Sequence, residues 1–407
     1  MTRSYRNSEP APPIMAGSPV PPEWRLPASG WDQPPWNRWA FQHIREIVPT
    51  VEVRRGATAW EMPSRPEEIG AIGFTTSDGR ASTWAAMLDE TYADAVLIWL
   101  GGRVIAESYH NAMTPARPHL AMSVSKSVVG AVCGGLIAEG LLDPAAPVTA
   151  VVPELAATAW DGATLGHLLD MTSGVRFNED YGDPNSDVAA IDIAAGWRPA
   201  PAGGAPAPAC VWDLVLRCTE REAPHGARFA YRSIETDVLG FVMERAIGMR
   251  LADLVSARLW APMGAEQDGY FSVDRAGFAL ADGGFNACLR DFARFGRLLL
   301  EDGARDGVQV IPRAWIEDIR RGAHGLFNAD STATFANGLY RNQFWIEDRT
   351  RPAHLSLGIF GQHIYVDPER GLVAVKLSSW PDALGAERRH LKDWLAAVKA
   401  VAAAFGA

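Results

Sequence analysis

The chain has 407 residues and a formal net charge of −10, with 48% apolar and 21% charged residues. This composition is typical of a globular protein with enough core for one large domain or two. The negative charge argues against a nucleic-acid-binding surface and against attraction to anionic membranes. No apolar run reaches the ~18 residues of a membrane-spanning helix. No basic segment precedes an apolar one near residue 1, so we expect a cytoplasmic protein.

The first 60 residues are rich in proline and predict an extended arm, interrupted by a short helix near residues 37–47. The arm also carries Trp24, Trp31, Trp36 and Trp39, which indicate that it lies against the body of the protein. A β-hairpin follows, with strands over 95–100 and 103–109 joined by the turn Gly101-Gly102.

The remaining pattern alternates between helical and strand periodicity. Segment 181–208, with Gly203-Gly204 and five prolines, predicts a long functional loop. The periodicity predicts helices over 123–140, 164–170, 235–247, 251–260, 286–300, 313–321 and 386–404, and strands over 343–347, 355–359, 363–366 and 372–377.

An early hairpin and late strands with helices between them indicate one antiparallel sheet built from both chain ends. We therefore expect an α/β (α+β) fold in which residues 61–142 and 271–407 form an α/β lobe. Residues 143–270 would form an inserted helical lobe, and residues 1–60 the arm. The active site would lie in the cleft between the lobes.

The segment Met122-Ser123-Val124-Ser125-Lys126-Ser127 opens a strongly apolar predicted helix. Residues at i and i+3 share a helix face, so Lys126 can reach Ser123. A desolvated lysine can take the proton of a serine and make it a nucleophile. Because the helix is apolar nearly all round, we expect Lys126 to be buried with a lowered pKa.

A third group must carry the proton to the leaving group. Tyr231, in Tyr231-Arg232-Ser233 just before the predicted helix over 235–247, suits this role. Next to an ammonium its phenol pKa should be lowered. The alternative is a buried structural tyrosine.

Other chemistries find little support in the sequence. The nine histidines form no zinc-binding pattern, and the four cysteines show no paired spacing. Neither a phosphate-binding loop nor a G-x-S-x-G elbow is present. We expect no metal and no organic cofactor.

The chain resembles the serine β-lactamase-like superfamily, and within it the 6-aminohexanoate-dimer hydrolases and their carboxylesterase relatives. The resemblance covers most of the chain from about Trp36. Beyond the S-x-x-K and Tyr-Arg-Ser segments, it is carried by Asn37-Arg38-Trp39-Ala40-Phe41, Asn178-Glu179-Asp180-Tyr181, Ala195-Gly196-Trp197-Arg198, Thr236-Asp237-Val238-Leu239 and the run from Val375 to Asp382.

The resemblance implies roles for individual residues. Ser123 would be the nucleophile, Lys126 its base and Tyr231 the proton relay. Tyr181 would close over the substrate and bond the leaving amide nitrogen, Asp192 would receive the amino end of the substrate, and Trp197 would line its site. The sequence alone favours plainer interpretations, with Tyr181 as a loop anchor and Asp192 as a solvated charge.

The chain departs from the family pattern at two positions. Asp282-Gly283-Gly284 replaces Asn-Gly-Gly, and Phe360-Gly361-Gln362 replaces His-Gly-Gln. Asp282 could join Asp192 in an acidic pocket, and Phe360 changes the surroundings of the oxyanion hole near Gly361. The Lys-Thr-Gly triad of β-lactamases is absent, and Lys376 is better interpreted as a strand residue.

These features predict a serine hydrolase that cleaves linear amides such as 6-aminohexanoate oligomers, and small esters, through an acyl-enzyme. A plain carboxylesterase and a non-catalytic penicillin-binding-like protein are the alternatives. A β-lactamase or D-alanyl peptidase is less favoured, since those enzymes act outside the cytoplasmic membrane. The expected partner is a small-molecule substrate, without nucleic acid or membrane, and the resemblance suggests a homodimer.

Overall fold

The computed structural model describes residues 6–200, 203, 206–321, 327 and 335–406. Its main feature is a central sheet of seven antiparallel strands drawn from both ends of the chain, which confirms the predicted fold class. In spatial order these strands are Leu339–Arg341, Phe344–Ile346, His354–Gly358, Gln362–Asp367, Leu372–Ser378, Ala93–Leu100 and Arg103–Tyr109.

The register joins the two chain ends between the fifth and sixth strands of the central sheet. Lys376 lies opposite Val96 on one side and His363 on the other. Its side chain is fully buried, which confirms the prediction of a strand residue. At the predicted hairpin turn, Gly101 and Gly102 have φ of 58° and 83°. Only glycine adopts such angles in succession without strain, so the two-residue turn is also confirmed.

Helices cover both faces of the central sheet. Gly296, in helix Leu289–Leu300, lies against Ile364, whereas Trp394, in helix Gly385–Ala404, lies against His363. Neighbouring strand residues point to opposite faces, so these two helices cover opposite faces.

A second, four-stranded sheet supports the segment that leads into Ser123. In spatial order its strands are Thr50–Val53, Gly269–Ser272, Phe285–Ala287 and His119–Leu120. The other strands form two short pairs, Gly73–Thr75 with Ala81–Thr83 and Ala304–Arg305 with Val308–Gln309.

The remaining helices are mostly short and surround the two sheets. The α-helices are Asn37–Ala40, Trp84–Glu90, Val124–Ala138, Leu165–Leu169, Asp187–Ala194, Val211–Arg217, Ile234–Ile247, Leu251–Val255, Ala261–Met263 and Arg313–Arg321. Segment Ser256–Trp260 is a π-helix, and 3-10 turns span Pro22–Trp24, Ile44–Glu46, Val148–Ala150, Pro153–Ala157, Ile359–Gly361 and Pro368–Arg370.

Most predicted helices and strands are confirmed within a few residues, but several segments differ. Helix Val211–Arg217 and strands Thr50–Val53 and Gly269–Ser272 were not predicted. The predicted helix over 286–300 begins only at Leu289, because Phe285–Ala287 pairs with Gly269–Ser272. The predicted loop over 181–208 contains helix Asp187–Ala194, capped by Ser186. Helix Trp84–Glu90, capped by Thr83, was not predicted.

The arm packs against the rest of the protein, as its tryptophans predicted. Trp31 is buried and its ring lies 5.2 Å from that of Trp197, and Arg38 forms a buried ion pair with Asp94 at 2.9 Å. The division of the chain near residues 60, 142 and 270 stays a prediction. In the described part of the chain, no helix is long and apolar enough to cross a membrane.

Candidate active site

Ser123 lies immediately before helix Val124–Ala138, at the end of a tightly held segment. Met122, the preceding residue, has a φ of 48°, a left-handed conformation that is uncommon for a side chain of this size. The N–H of Ala121 donates to the carbonyl of Phe285 at 2.8 Å, which ties the segment to the second sheet. The first turn of the helix therefore presents Ser123 where backbone N–H groups lack helical partners.

Lys126 is buried and contacts three oxygen atoms. Its Nζ donates to Ser123 Oγ at 2.9 Å, to Ser233 Oγ at 3.0 Å and to the carbonyl of Asp282 at 2.7 Å. The side chain is 1% exposed, so the predicted burial is confirmed. The amine is held one helical turn from the serine hydroxyl.

The predicted lowering of the Lys126 pKa is wrong in sign. Burial lowers this pKa, but the surrounding acidic groups, Tyr231, Asp282, Glu179 and Asp237, raise it more, and the net pKa lies above the ordinary value. Lys126 is therefore an ammonium in the resting protein. It becomes a base only when its surroundings change or a minor neutral form is used.

Tyr231 lies beside both Ser123 and Lys126. Its phenol interacts with both side chains, each of which lowers its pKa, and Lys126 Nζ lies 5.3 Å from the centre of its ring. The ring also stacks on Trp345 with centroids 5.3 Å apart. The predicted lowering of its pKa is also wrong, since burial raises the phenol pKa more than the Lys126 charge lowers it. The phenol therefore keeps its proton at neutral pH, as a proton donor requires.

Glu179 and Ser233 also belong to this hydrogen-bond network, and neither was predicted to have a role in the site. Glu179 accepts hydrogen bonds from the N–H of Ser233 at 2.9 Å, from Ser233 Oγ and from the phenol of Tyr181 at 2.8 Å. Burial raises the Glu179 pKa. Both residues stand in segments that carry the family resemblance, which was the available signal.

Two cavities of about 450 Å³ each meet at Ser123, Tyr181 and Ile359. We call the first the acidic cavity, because its lining includes one arginine, Arg198, and the five aspartates Asp32, Asp180, Asp192, Asp282 and Asp382. We call the second the aromatic cavity, because it is lined by the rings of Phe177, Tyr231, Phe335, Trp345 and Trp380. The structure thus places a space rich in carboxylates on one side of Ser123 and, on the other, a space lined by aromatic rings together with charged residues such as Glu222 and Arg228.

Asp192 and Trp197 both line the acidic cavity, but Asp192 is not a free solvated charge. Arg198 contacts its carboxylate at 2.8 Å and also contacts Asp32, from the arm, at 3.3 Å. Burial nevertheless raises the Asp192 pKa to about 7. Trp197 is buried against Trp31.

Asp282 is also part of the acidic cavity and is 7% exposed. One of its carboxylate oxygens lies 3.9 Å from Lys126 Nζ. The neighbouring Asp237 accepts hydrogen bonds from the backbone N–H groups of Ala281 and Asp282 at 3.0 and 3.2 Å. Burial raises the pKa of both carboxyls, and much more that of Asp237.

Phe360 and Gly361 lie in the turn that closes the cleft. Phe360 lines the acidic cavity and has a φ of 59°, and its N–H donates to Ala383 O at 2.9 Å. Gly361 lines neither cavity, because it packs against the Trp380 ring where an added Cβ would overlap it. Ile359, which lines both cavities, is therefore better placed than Gly361 to supply a second oxyanion donor in this turn.

A seryl hydroxyl, a buried amine and a phenol in mutual contact between two cavities define a serine hydrolase of the S-x-x-K type. Among the described residues, no group of acidic, histidine or cysteine side chains could hold a metal ion.

The comparisons with known proteins agree with this class. The Beta-lactamase family profile matches residues 84–398. The 6-aminohexanoate-dimer hydrolase of Paenarthrobacter ureafaciens is 38% identical over 354 residues, which cover 86% of this chain and 88% of the relative. The chain therefore belongs to the beta-lactamase family and is a serine hydrolase.

Solved structures show the same fold. A Bacillus anthracis protein, provisionally named a 6-aminohexanoate-dimer hydrolase, superposes with a TM-score of 0.85 at 27% identity, over 95% of this chain and 98% of that one. An octameric penicillin-binding protein homologue from Pyrococcus abyssi superposes with a TM-score of 0.59 at 19% identity, over 79% and 76% of the two chains. The predicted family resemblance is confirmed.

Proposed function

We propose that this protein hydrolyses linear amides such as 6-aminohexanoate oligomers, and small carboxylic esters, through an acyl-enzyme on Ser123. The proposal rests on one observation: Ser123, Lys126 and Tyr231 lie in contact between the acidic cavity and the aromatic cavity. The name of the Paenarthrobacter relative supports the choice of substrate.

The cavities support one orientation of the substrate. Tyr231 lines the aromatic cavity and not the acidic one, so a leaving nitrogen that takes its proton would face the aromatic side. The acyl half would then occupy the acidic cavity, where aspartates attract an ammonium at its far end. The methylene chain of the leaving group would pack on aromatic rings.

The reaction would proceed in two steps. Neutral Lys126 takes the proton of Ser123 as its oxygen attacks the carbonyl, and the backbone N–H groups of Ser123 and Ile359 bind the oxyanion. Tyr231 donates a proton to the leaving nitrogen and regains one from Lys126. Water then gives a proton to Lys126 as its oxygen attacks the ester carbonyl, and this proton passes to Ser123 Oγ as the acid leaves.

Replacing the nucleophile tests this function directly. Ser123→Ala should lower turnover of the 6-aminohexanoate dimer and of p-nitrophenyl acetate by ~10³-fold or more, because no other oxygen is activated at this position. Ser127→Ala is the matched control on the same helix, since its hydroxyl donates to Gln343 O and not to Lys126. Substantial turnover in Ser123→Ala would rule out the proposal.

A plain carboxylesterase with little amidase activity is the second candidate. The raised Lys126 pKa favours it, because a small fraction of neutral amine suffices for an activated ester but less readily for an amide. The ratio of dimer hydrolysis to p-nitrophenyl acetate hydrolysis separates the two. A non-catalytic protein is disfavoured by the intact contact set.

A cytoplasmic location and a homodimer also stay proposals. All four cysteines are free thiols, as in a reducing compartment. Sedimentation equilibrium of the purified protein would determine the assembly, and a single species of 44.1 kDa would contradict the dimer.

A further inference from the structure

We propose that Asp282 receives an ammonium group on the acyl half of the substrate and that this ion pair activates Lys126 as the base. The inference rests on the proposed function and deepens it. In this view the positive charge of the substrate contributes to catalysis as well as to binding.

Asp282 is placed to receive a cation. Its carboxylate is 7% exposed and lines the acidic cavity together with Ser123. Its Oδ1 is buried and has no hydrogen-bond partner among the residues that the structure describes. Its other oxygen, Oδ2, lies 3.9 Å from Lys126 Nζ, beyond direct hydrogen bonding. A buried carboxylate oxygen without a donor is costly, and an entering ammonium would supply that donor.

Asp192, the other aspartate to which this role could fall, already has a cation. Arg198 contacts it at 2.8 Å and is shared with Asp32 at 3.3 Å. A substrate ammonium at Asp192 would have to displace or share this guanidinium. Among the residues that the structure describes, Asp282 has no arginine partner, and it stands closer to the reacting groups, since Lys126 donates to its main-chain carbonyl at 2.7 Å.

The charge on Asp282 controls the state of Lys126. The amine faces Ser123, Ser233, Tyr231, Glu179, Asp237 and Asp282, the last four of which raise its pKa. Of the two adjacent aspartates, Asp237 has the more strongly raised pKa, whereas Asp282 lies 3.9 Å from Lys126 Nζ and lines the acidic cavity, which favours the negative charge there.

An ammonium bound at Asp282 changes this balance in two ways. It cancels the carboxylate charge that favours protonated Lys126, and it adds a positive charge nearby. Both effects lower the Lys126 pKa, so at a given pH a larger fraction of Lys126 has given its proton to solvent. The neutral amine then accepts the Ser123 proton as the serine oxygen bonds to the carbonyl carbon. A neutral substrate leaves Lys126 protonated at the same pH.

A pair of substrates with equal shape tests the inference on the unmodified protein. The 6-aminohexanoyl and heptanoyl p-nitroanilides differ by an ammonium in place of a methyl group. We expect the acidic limb of the kcat–pH profile, which reports the enzyme–substrate complex, to lie about one pH unit lower for the cationic substrate.

Two variants assign the effect to Asp282. Asp282→Asn removes the charge with little change in shape. In this variant the acidic limb of the kcat–pH profile for the neutral substrate should move to lower pH, and the difference between the two substrates should vanish. Asp192→Asn should keep the difference. Equal limbs in the unmodified protein, or a difference that survives Asp282→Asn, would overturn the inference. Failure of the proposed function itself would appear otherwise, as turnover of both anilides that does not depend on Ser123.

Discussion

The Lys126 amine is held by oxygen atoms from three parts of the chain, and only one of these contacts is local in sequence. Ser123 lies three residues away, so helix geometry alone predicts the 2.9 Å contact. Ser233 and Asp282 reach the amine through the fold, over separations of 107 and 156 residues.

The same distinction explains why the predicted pKa shifts were wrong. The burial of Lys126 followed from the apolar sequence around it. The opposing charges of Glu179, Asp237 and Asp282 come together only in the folded protein. A single sequence therefore predicts desolvation better than it predicts the sign of a coupled pKa.

Tyr181 offers a test of leaving-group recognition. Its phenol donates to Glu179 Oε1 at 2.8 Å, which leaves its oxygen able to accept the N–H of a scissile amide. Tyr181→Phe should therefore lower kcat/KM for the dimer by ~10–100-fold and leave ester hydrolysis within ~3-fold, because an ester has no N–H.

Tyr109 is the matched control, since its phenol also bonds a glutamate two residues earlier, Glu107, away from the cleft. Tyr109→Phe should keep the amide-to-ester ratio of the unmodified protein. Equal losses on amide and ester in Tyr181→Phe would remove its role with the leaving nitrogen.

At the scale of elements, helix Val124–Ala138 must pack closely to hold Ser123 and Lys126 in place. An added Cβ at Gly134 would overlap the Trp315 ring, whereas at Gly135 it would meet nothing within 4 Å. The two glycines are neighbours on one helix, but only the first faces a packed neighbour.

Alanine at these two positions should have opposite effects on stability. Gly134→Ala should lower the free energy of unfolding by about 1–3 kcal/mol, because Trp315 must move. Gly135→Ala should raise it by about 0.5–1 kcal/mol, because alanine favours the helix. Denaturant titration measures both, and a stable Gly134→Ala variant would contradict the packing.

Local patterns predicted elements well where periodicity and caps agreed. The predicted start of helix Arg313–Arg321 is confirmed to the residue. Phe285–Ala287 was mistaken for helix because its strand state depends on pairing with Gly269–Ser272, a partner that only the fold supplies. Helix Asp187–Ala194 was overlooked within a segment rich in proline and glycine, although Ser186 is a recognisable N-cap.

For the whole molecule, the antiparallel sheet from both chain ends was predictable because strand signals occur early and late, with helices between. The two cavities were not, because residues from the arm, the inserted helices and the C-terminal strands line them together. The central sheet also buries Lys376, whose Nζ donates to Thr91 O at 3.1 Å and contacts Ser378.

Burial lowers the Lys376 pKa to about 7. An unfolded lysine titrates near pH 10, so between about pH 7 and pH 10 the unfolded chain binds a proton that the folded chain lacks. The destabilisation by Lys376 therefore grows as the pH falls through this range and is complete below it. Lys376→Met should raise the free energy of unfolding by about 1–3 kcal/mol at pH 7, with a smaller gain at pH 10. An equal or lower melting temperature at pH 7 would contradict this.

Ser123 is the hydroxyl of this chain that we expect to react as a nucleophile, because Lys126 and Tyr231 activate it. Mass spectrometry of the protein after reaction with a fluorophosphonate tests it most directly. The account predicts one covalent adduct per chain, on the peptide that contains Ser123. An adduct on another residue, or an unlabelled Ser123 in a sample that still hydrolyses substrate, would contradict it.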